Sequence, residues 1–279
     1  MSELSHEYDS ALSVVIPVYN EAATIGSVIE QVLKVPHLLE IIVVDDGSTD
    51  ATAAVVEAIA ESHPQVQLQR LENNSGKTAA LRAGFAATRG GIVIVQDADL
   101  EYDPAEIPGV IEPILQGRAQ VVFGSRFLVR KAARVLYFYH YVANKFLTLL
   151  SNLLTNLNMT DIETGYKAFR GDIIREMTIV SKGFGFEVEA TAKVAKLGVP
   201  IFEVPISYYG RTYAEGKKIF FSDGLMALWL IVRFNLFCSL QSSFRKMPQQ
   251  TTEPLARARA LSTAEASQIP GTNSGFRSD

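Results

Sequence analysis

The sequence predicts an α/β fold in which a mostly parallel sheet is flanked by helices. Three observations favour this class. Short runs rich in valine and isoleucine alternate with segments of helical periodicity, the runs are almost continuously apolar, and polar residues follow several of them directly. Strands covered by helices on both faces need such apolar runs. In strands with one solvent-exposed face, apolar and polar residues alternate instead. With 279 residues, 48% of them hydrophobic and 20% charged, the chain can form a large core.

The first half of the chain is predicted to contain four strands separated by three helices. The strands are Ser13–Pro17, Ile41–Val44, Val66–Leu71 and Ile92–Gln96. The helices have apolar residues at helical spacing and are Ala22–Leu33, Asp50–Ser62 and Lys77–Thr88. Because a helix returns the chain to the same end of the sheet, this order predicts parallel strands with ligands bound beyond their carboxyl ends.

The second half is predicted to be less regular. In chain order we expect a strand at Val121–Gly124, a helix at Arg134–Leu157, a loop entering a strand at Asp161–Arg170, a helix at Glu187–Leu197, an extended segment at Ile201–Tyr208 and a helix at Ser222–Phe237. The expected organisation is a flexible N-terminus at 1–10, one α/β domain at 11–221, a C-terminal amphipathic helix at 222–244 and a disordered tail at 245–279. The tail is rich in small and polar residues.

Composition excludes several classes of protein. Lys and Arg number 26 against 30 Asp and Glu, so the net charge of −4 argues against a nucleic-acid partner. The single cysteine, Cys238, favours a reducing, cytoplasmic setting. The N-terminus has no signal-peptide pattern, and no apolar stretch reaches the roughly 20 residues that span a bilayer. The four histidines show no metal-ligand spacing.

The triplet Asp97-Ala98-Asp99 is the sharpest local motif, because it follows a predicted buried strand. Two neighbouring carboxylates repel each other unless a cation lies between them. Hard oxygen ligands suit Mg²⁺ or Mn²⁺ bound jointly with phosphates, and Glu101 is a candidate third ligand. The alternative is an acidic loop that caps a helix before Pro104.

Further motifs follow in the same order along the chain. They are Pro17–Glu21, Val43–Asp50, Asn74–Lys77, Gly124–Phe127, Asp161, Thr164–Lys167, Gly183–Glu189, Glu203–Ile206, Tyr208 and Arg211. Together with the aspartate triplet, they resemble the family 2 glycosyltransferases with the GT-A (Rossmann-like) fold. The later motifs resemble the dolichyl-phosphate and polyprenyl-phosphate mannosyltransferase group. The resemblance covers roughly residues 11 to 240.

This resemblance implies roles for individual residues. The nucleotide-sugar-binding candidates are Pro17, Tyr19, Glu21, Asp45, Asp46, Lys77, Asp97, Ala98 and Lys218, and the metal-binding candidates are Asp97, Asp99 and Glu101. The catalytic candidates are Asp99, Arg126, Asp161, Glu189 and Arg211. Some alternatives stay open. Lys77 begins a helix and either contacts ligand or lies in a solvated first turn, whereas Lys218 belongs either to a flap over the site or to an exposed loop.

The implied activity is inverting transfer of a hexose from a nucleotide-diphosphate sugar, of the GDP-mannose or UDP-glucose type, to a polyprenyl phosphate at the cytosolic membrane face. A phosphate acceptor needs positioning by Arg126 or Arg211. A hydroxyl acceptor needs a carboxylate base, for which Asp161, Glu187 and Glu189 are the candidates. The alternatives are a transferase acting on a glycan or lipid hydroxyl and a catalytically inactive nucleotide-sugar-binding protein. A dinucleotide-dependent oxidoreductase is disfavoured, because no G-x-G-x-x-G motif follows the first strand.

The sequence departs from the mannosyltransferase pattern at three places. The stretch after Arg126 lacks the Gly-Gly and Trp of that group, Glu163-Thr164-Gly165 replaces the more usual Thr-Ser-Gly, and the loop Tyr213–Ile219 is longer. These departures concern the identity of the sugar and not the class of reaction.

Two predicted helices have the character of interfacial helices. Arg134–Leu157 begins with aromatic residues next to Arg130 and Lys131, and Ser222–Phe237 is apolar but interrupted by Arg233 and Asn235. We therefore expect a membrane surface among the partners and peripheral attachment. The alternative is that both helices are core or subunit interface, with a homo-oligomer or a membrane protein as partner.

Overall fold

The computed structural model describes residues 11–128, 134–135, 137–211 and 221–248, with only the backbone at 221 and 222. Within these residues the strands are β1 (Leu12–Val18), β2 (Leu38–Asp45), β3 (Val66–Arg70), β4 (Ile92–Val95), β5 (Val121–Ser125), β6 (Lys167–Arg170) and β7 (Ile201–Pro205). The helices are α1 (Ile25–Val32), α2 (Thr52–Ser62), α3 (Lys77–Ala87), α4 (Ile107–Leu115), α5 (Phe138–Thr155), α6 (Gly171–Glu176), α7 (Phe186–Leu197), α8 (Phe221–Leu236) and α9 (Leu240–Ser243).

The strands form one sheet in the order β3-β2-β1-β4-β6-β5-β7. The predicted mostly parallel sheet flanked by helices is confirmed, because every pairing except those of β6 is parallel. Strand β6 runs antiparallel to both β4 and β5. It therefore begins at the end of the sheet where the other strands have their carboxyl ends. The residues that precede β6 lie at that same end.

The burial of the strands explains why they have apolar sequences. All the residues of β1, β4 and β5 are buried, as strands between two layers of helices must be. The edge strand β3 instead reads VQLQR, and of its five residues only Val66 is buried.

Two apolar clusters cover the two faces of the sheet. One contains residues from α1, α2 and α4, and the other contains residues from α3 and from α5 to α8. Helix α3 approaches β1 so closely that a Cβ at Gly84 would lie 2.4 Å from a methyl group of Val15. Helix α8 belongs to the second cluster through Leu230, Ile231 and Phe234, so its inner face packs against the core.

Several predicted boundaries differ from the structure. The long helix begins at Phe138, four residues after the predicted Arg134, and ends before Asn156, whose φ of 56° is left-handed. The region predicted as one helix at 222–244 contains both α8 and α9, and Ser239 caps the second of them. The backbone N–H of Arg245, the first residue of the predicted tail, donates to the Glu176 carbonyl over 2.8 Å. Residues 1–10 and 249–279 lie outside the described residues.

Candidate active site

A cavity of about 830 Å³ lies at the carboxyl ends of the parallel strands. Strands β1, β2, β4 and β5 end here, and the segments before β6 and after β7 also reach it. Most of the predicted site residues line it, namely Pro17, Tyr19, Glu21, Asp46, Lys77, Asp97, Ala98, Asp99, Glu101, Arg126 and Arg211. The structure does not bring Asp45, Asp161 and Glu189 to the cavity lining. Lys218 lies outside the described residues.

The two aspartates at the end of β2 have different surroundings. Asp46 lines the cavity and accepts hydrogen bonds from the backbone N–H groups of Ser75 and Gly76, at 2.8 and 2.7 Å. Asp45 instead accepts from the N–H of Ser48 at 2.9 Å and pairs with Arg70 at 3.3 Å. Asp46 therefore holds the loop that leads into α3, and Asp45 holds the turn after β2.

Lys77 links two carboxylates across the cavity. Its ammonium nitrogen lies 2.8 Å from Asp97 Oδ1 and 3.0 Å from Glu187 Oε1. Burial alone would lower the pKa of Lys77, but the charges of Asp97 and Glu187 outweigh it and raise that pKa well above its usual value. The side chain is 16% exposed, so of the two predicted alternatives the solvated first turn does not apply.

Arg211 lies among three carboxylates on the other side of the aspartate triplet. Its guanidinium is 3.2 Å from Glu21 Oε1, 2.9 Å from Asp99 Oδ2 and 3.5 Å from Glu101 Oε1. Glu101 also accepts from the Tyr208 hydroxyl at 2.7 Å and from the N–H of Arg211 at 2.8 Å. Among the described residues no three His, Cys, Asp or Glu side chains form a metal-binding group. Of the predicted trio of Asp97, Asp99 and Glu101, Glu101 contacts both Arg211 and Tyr208, and its role as a third metal ligand stays a prediction.

Burial and neighbouring negative charges make the ionised form of Asp99 unfavourable in spite of Arg211. Burial and the neighbouring charges of Asp97 and Glu101 raise the pKa of Asp99 to about 7, although Arg211 opposes this shift. A cation beside these carboxylates would relieve their repulsion. Asp97 and Asp99 therefore fit a hard divalent cation as a two-carboxylate set, with further oxygens left for a ligand to provide.

Gly165 provides the space that Asp97 occupies. A Cβ at this position would lie 2.5 Å from Asp97 Oδ2, so any larger residue would displace the carboxylate. The N–H of Gly165 donates to the Tyr102 hydroxyl at 3.0 Å, and the Tyr102 ring stacks on Tyr166. The segment before β6 therefore positions the aspartate triplet.

Arg126 and Asp161 form a bidentate pair at the end of β5. Arg126 Nε and Nη2 donate to the two oxygens of Asp161 at 2.6 and 2.8 Å. Asp161 is fully buried, and Arg126 outweighs that burial and lowers the pKa of Asp161. The guanidinium also lies 5.1 Å from the centre of the Tyr208 ring. Arg126 lines the cavity, whereas Asp161 does not line it and instead positions the Arg126 guanidinium.

Glu189 has a structural environment although it is only two residues from Glu187. Its carboxylate accepts from the N–H groups of Val180 and Ser181, at 2.9 and 2.8 Å, and pairs with Lys193. Lys193 is buried, and Glu189 itself is fully buried. Its surroundings are therefore those of an anchor for the segment before α7.

Sequence reasoning missed Glu163 as a site residue, although the segment Glu163-Thr164-Gly165 departs from the family pattern. It lines the cavity together with Glu187. Burial and the charge of Glu187 raise the pKa of Glu163 to about 7, against the opposing charges of Lys167 and Arg126. Its position just before a strand could have identified Glu163 as a site residue. That inference needs β6 to be antiparallel, because only then does the start of β6 lie beside the carboxyl ends of β4 and β5.

The charged side chains of Lys77, Asp97, Asp99, Arg126 and Arg211 line one half of the cavity, the charged floor. The other half is apolar and lies between α5 and α8. The apolar side chains there include Phe146, Leu147, Leu225 and Leu228. Phe146 and Leu225 are 57% and 55% exposed, so the apolar half opens at the surface. In the part of the chain that the structure describes, no helix combines the length and the apolar content needed to cross a bilayer.

The fold has well-defined structural neighbours. The crystal structure of glucosyl-3-phosphoglycerate synthase from Mycobacterium tuberculosis in complex with Mn²⁺, uridine diphosphate and phosphoglyceric acid superposes with a TM-score of 0.65 at 25% identity, over 84% of this chain and 82% of that chain. The architecture and the cavity beyond the strand ends are accordingly those of a GT-A glycosyltransferase.

Sequence relatives define the family. Residues 13–178 match the family model described as glycosyl transferase family 2. The chain is 32% identical over 213 residues to the undecaprenyl-phosphate mannosyltransferase of Micrococcus luteus, which covers 73% of this chain and 85% of that protein. It is 30% identical over 211 residues to the polyprenol monophosphomannose synthase of Mycolicibacterium smegmatis, with coverages of 73% and 79%. The chain belongs to glycosyl transferase family 2 and is a glycosyltransferase, which confirms the predicted resemblance.

Proposed function

We propose that this enzyme transfers a hexose from a nucleotide-diphosphate sugar to a polyprenyl phosphate, with inversion, at the cytosolic face of a membrane. The observation that carries the proposal is the division of the cavity into a charged floor and an apolar half that opens between α5 and α8. A sugar donor and a lipid phosphate need both environments in one site. The names of the two curated relatives support the same substrate classes.

The residues of the charged floor suit a nucleoside diphosphate. Tyr19, Glu21 and Asp46, at the ends of β1 and β2, are the proposed contacts for the nucleoside, as the family resemblance implies. Asp97 and Asp99 would hold Mg²⁺ or Mn²⁺ together with phosphate oxygens. When bound, such a cation neutralises charge on the leaving diphosphate.

Arg126 and Arg211 are the proposed phosphate-binding cations. Both line the cavity, and each is oriented by carboxylates, so their donors are preorganised. A phosphate monoester has a second pKa of about 6 and is already anionic near neutrality. The acceptor therefore needs to be positioned and desolvated more than deprotonated. One displacement by its oxygen at the anomeric carbon inverts that carbon.

The apolar half is the proposed site for the prenyl chain, and its rim is the proposed membrane contact. Exposed apolar side chains form one stripe on α5 and another on α8, and they comprise Val142, Phe146, Leu149, Leu153, Leu225, Met226, Trp229 and Leu236. These stripes flank the cavity and can enter the headgroup region of a bilayer without spanning it. Arg130 and Lys131, which precede the first of these helices, lie outside the described residues, and Arg134 donates to the Gly210 carbonyl at 3.1 Å.

A lipid-phase assay tests the proposed reaction. The full chain is incubated with radiolabelled GDP-mannose or UDP-glucose, Mg²⁺ or Mn²⁺, and vesicles that contain undecaprenyl phosphate. Label is expected in the lipid phase for at least one donor, and it should be absent when the free polyprenol replaces its phosphate. Equal labelling of the polyprenol, or label in neither lipid, would contradict the proposed acceptor.

Vesicle flotation tests the proposed membrane contact. Because a buried apolar side chain contributes about 1.5–3 kcal/mol, replacing Leu149, Leu153 and Trp229 together by Glu should reduce vesicle binding at least about a hundredfold. None of the three lines the cavity, so transfer to a short, water-soluble prenyl phosphate should persist. The matched control is Val180→Glu, which alters an exposed apolar residue outside both helices. Undiminished flotation of the triple variant would exclude this surface.

A further inference from the structure

A buried glutamine spans the loop that carries the aspartate triplet. Gln96 follows β4 directly, is fully buried and does not line the cavity. Its amide nitrogen Nε2 donates to the Asp97 carbonyl at 3.0 Å and to the Tyr102 carbonyl at 3.4 Å. One side chain therefore joins the two ends of the loop 97–102, which contains both of the proposed cation-binding aspartates.

Tyr166 fixes the orientation of this glutamine. Its hydroxyl donates to Gln96 Oε1 at 2.6 Å and also lies 3.0 Å from the Asp103 carbonyl. Its ring stacks on Tyr102 with 5.0 Å between the ring centres. Tyr166 is fully buried and does not line the cavity. Because a buried amide is costly to leave unpaired, the hydroxyl holds the Gln96 amide in the orientation that points Nε2 at the loop.

The loop needs such support because its backbone is strained. Leu100, next to Asp99, has a φ of 60°, in the left-handed region that favours glycine. A leucine keeps this conformation only where the surrounding structure enforces it. The two hydrogen bonds of Gln96 attach to the loop on either side of Leu100 and provide such a constraint. Their loss should let the loop relax and move the carboxylates of Asp97 and Asp99.

We propose that Gln96 and Tyr166 are positioning residues for the divalent cation, because they hold the loop 97–102 in the conformation in which Asp97 and Asp99 bind that cation jointly. Both residues act through the backbone of the loop. The inference rests on the cation-dependent donor binding of the proposed function. Groups that orient metal ligands from behind typically change metal affinity or activity by about ten- to a hundredfold when they are replaced.

Calorimetry with nucleoside diphosphates tests this role. GDP and UDP are each titrated into the full chain with Mn²⁺ or with EDTA, and the ratio of the two affinities measures the contribution of the cation. Gln96→Met keeps the length of the side chain but removes its amide, and Tyr166→Phe removes one hydroxyl. Each should lower the Mn²⁺-supported affinity by about tenfold or more. The affinity in EDTA should change less than twofold, because the proposed nucleoside contacts follow β1 and β2.

Transfer kinetics separate positioning from a loss of folded enzyme. In both variants, the Mn²⁺ concentration that gives half-maximal sugar transfer should rise by about tenfold, whereas kcat at saturating Mn²⁺ should fall less. A partly folded variant would instead lose kcat at an unchanged Mn²⁺ requirement. Thermal melting of each variant verifies that it is folded.

The matched control is Thr88→Val, which also removes a buried hydroxyl. Thr88 donates to the Phe85 carbonyl at 2.8 Å and precedes the start of β4, at the end of the sheet opposite the cavity. This variant should change neither the Mn²⁺-supported affinity nor the Mn²⁺ requirement by more than about twofold.

The outcomes separate this inference from the proposed function. If Mn²⁺ strengthens binding of neither diphosphate to the wild-type chain, the proposed cation site fails and the inference fails with it. If Mn²⁺ strengthens binding but no sugar reaches lipid phosphate, the proposed acceptor is wrong, and calorimetry still decides the role of Gln96 and Tyr166. If either variant retains the wild-type ratio of Mn²⁺ to EDTA affinity within twofold, or an unchanged Mn²⁺ requirement for transfer, the positioning role is wrong.

Discussion

Replacing Asp99 by Asn is expected to reduce sugar transfer by about a hundred- to a thousandfold, the usual loss when one preorganised electrostatic group is removed. Asn keeps the shape of Asp99 but removes the charge that a divalent cation requires. Transfer rates in vesicles and calorimetric binding of the Mn²⁺–nucleoside diphosphate complex measure the effect. Both should fall together, since Asp97 and Asp99 are proposed to hold the same cation.

The control for this prediction is Asp172→Asn. Asp172 is also paired with an arginine, at 2.8 Å from Arg170, but it does not line the cavity. The control should retain transfer within about twofold. A fully active Asp99→Asn variant would show that the cation-binding role belongs elsewhere, whereas loss of transfer with intact Mn²⁺–nucleotide binding would confine Asp99 to a contact with Arg211.

Replacing Arg126 by Met should lower the free energy of unfolding by about 3–5 kcal/mol, because Asp161 is left as an unpaired buried charge. The double variant Arg126→Met/Asp161→Asn should recover part of this loss, since it removes the stranded carboxylate. Chemical denaturation of the wild type, both single variants and the double variant gives the coupling between the two residues. If the double variant is no more stable than Arg126→Met, the pair is not the source of the effect.

The pH dependence of this destabilisation has a definite sign. In the wild type, Arg126 holds the pKa of Asp161 below its usual value of 3.8. The ion pair therefore stabilises the folded state fully above pH 3.8, and this contribution is lost as the pH falls through the lowered pKa of Asp161. Without Arg126, burial favours the protonated form of Asp161. The stability difference between the wild type and Arg126→Met should therefore shrink as the pH is lowered from 7 towards 4.

Pairs of neighbouring acidic residues show where sequence reasoning reached its limit. Glu187 and Glu189 share the first turn of α7, yet one lines the cavity and the other anchors Val180 and Ser181. Two residues along a helix correspond to a rotation of roughly 200°, so the two side chains point in nearly opposite directions. A sequence motif identifies such a pair, but the packing of the helix decides which member meets the ligand.

The order of the strands in the sheet determined a second outcome. Asp161, Glu163 and Gly165 precede β6, and a strand parallel to its neighbours would have begun at the opposite edge of the sheet. Since β6 is antiparallel to β4 and β5, its beginning lies beside their ends. No local pattern in the sequence distinguishes the two directions for a strand of four residues, because burial on both faces makes the apolar run the same in either case.

The sequence by itself determined the class of fold, the family, and the positions of Tyr19, Asp46, Asp97 and Asp99 at strand ends and of Lys77 at the start of a helix. Apolar runs, helical periodicity and the polar residues that follow the strands are local properties of the sequence. The tertiary structure decided the partners of these groups. It placed Arg211 among three carboxylates, Asp161 behind Arg126, and Glu163 beside Glu187. Such pairings join residues far apart in the chain, and the direction of each strand and the rotation of each helix set which side chains meet.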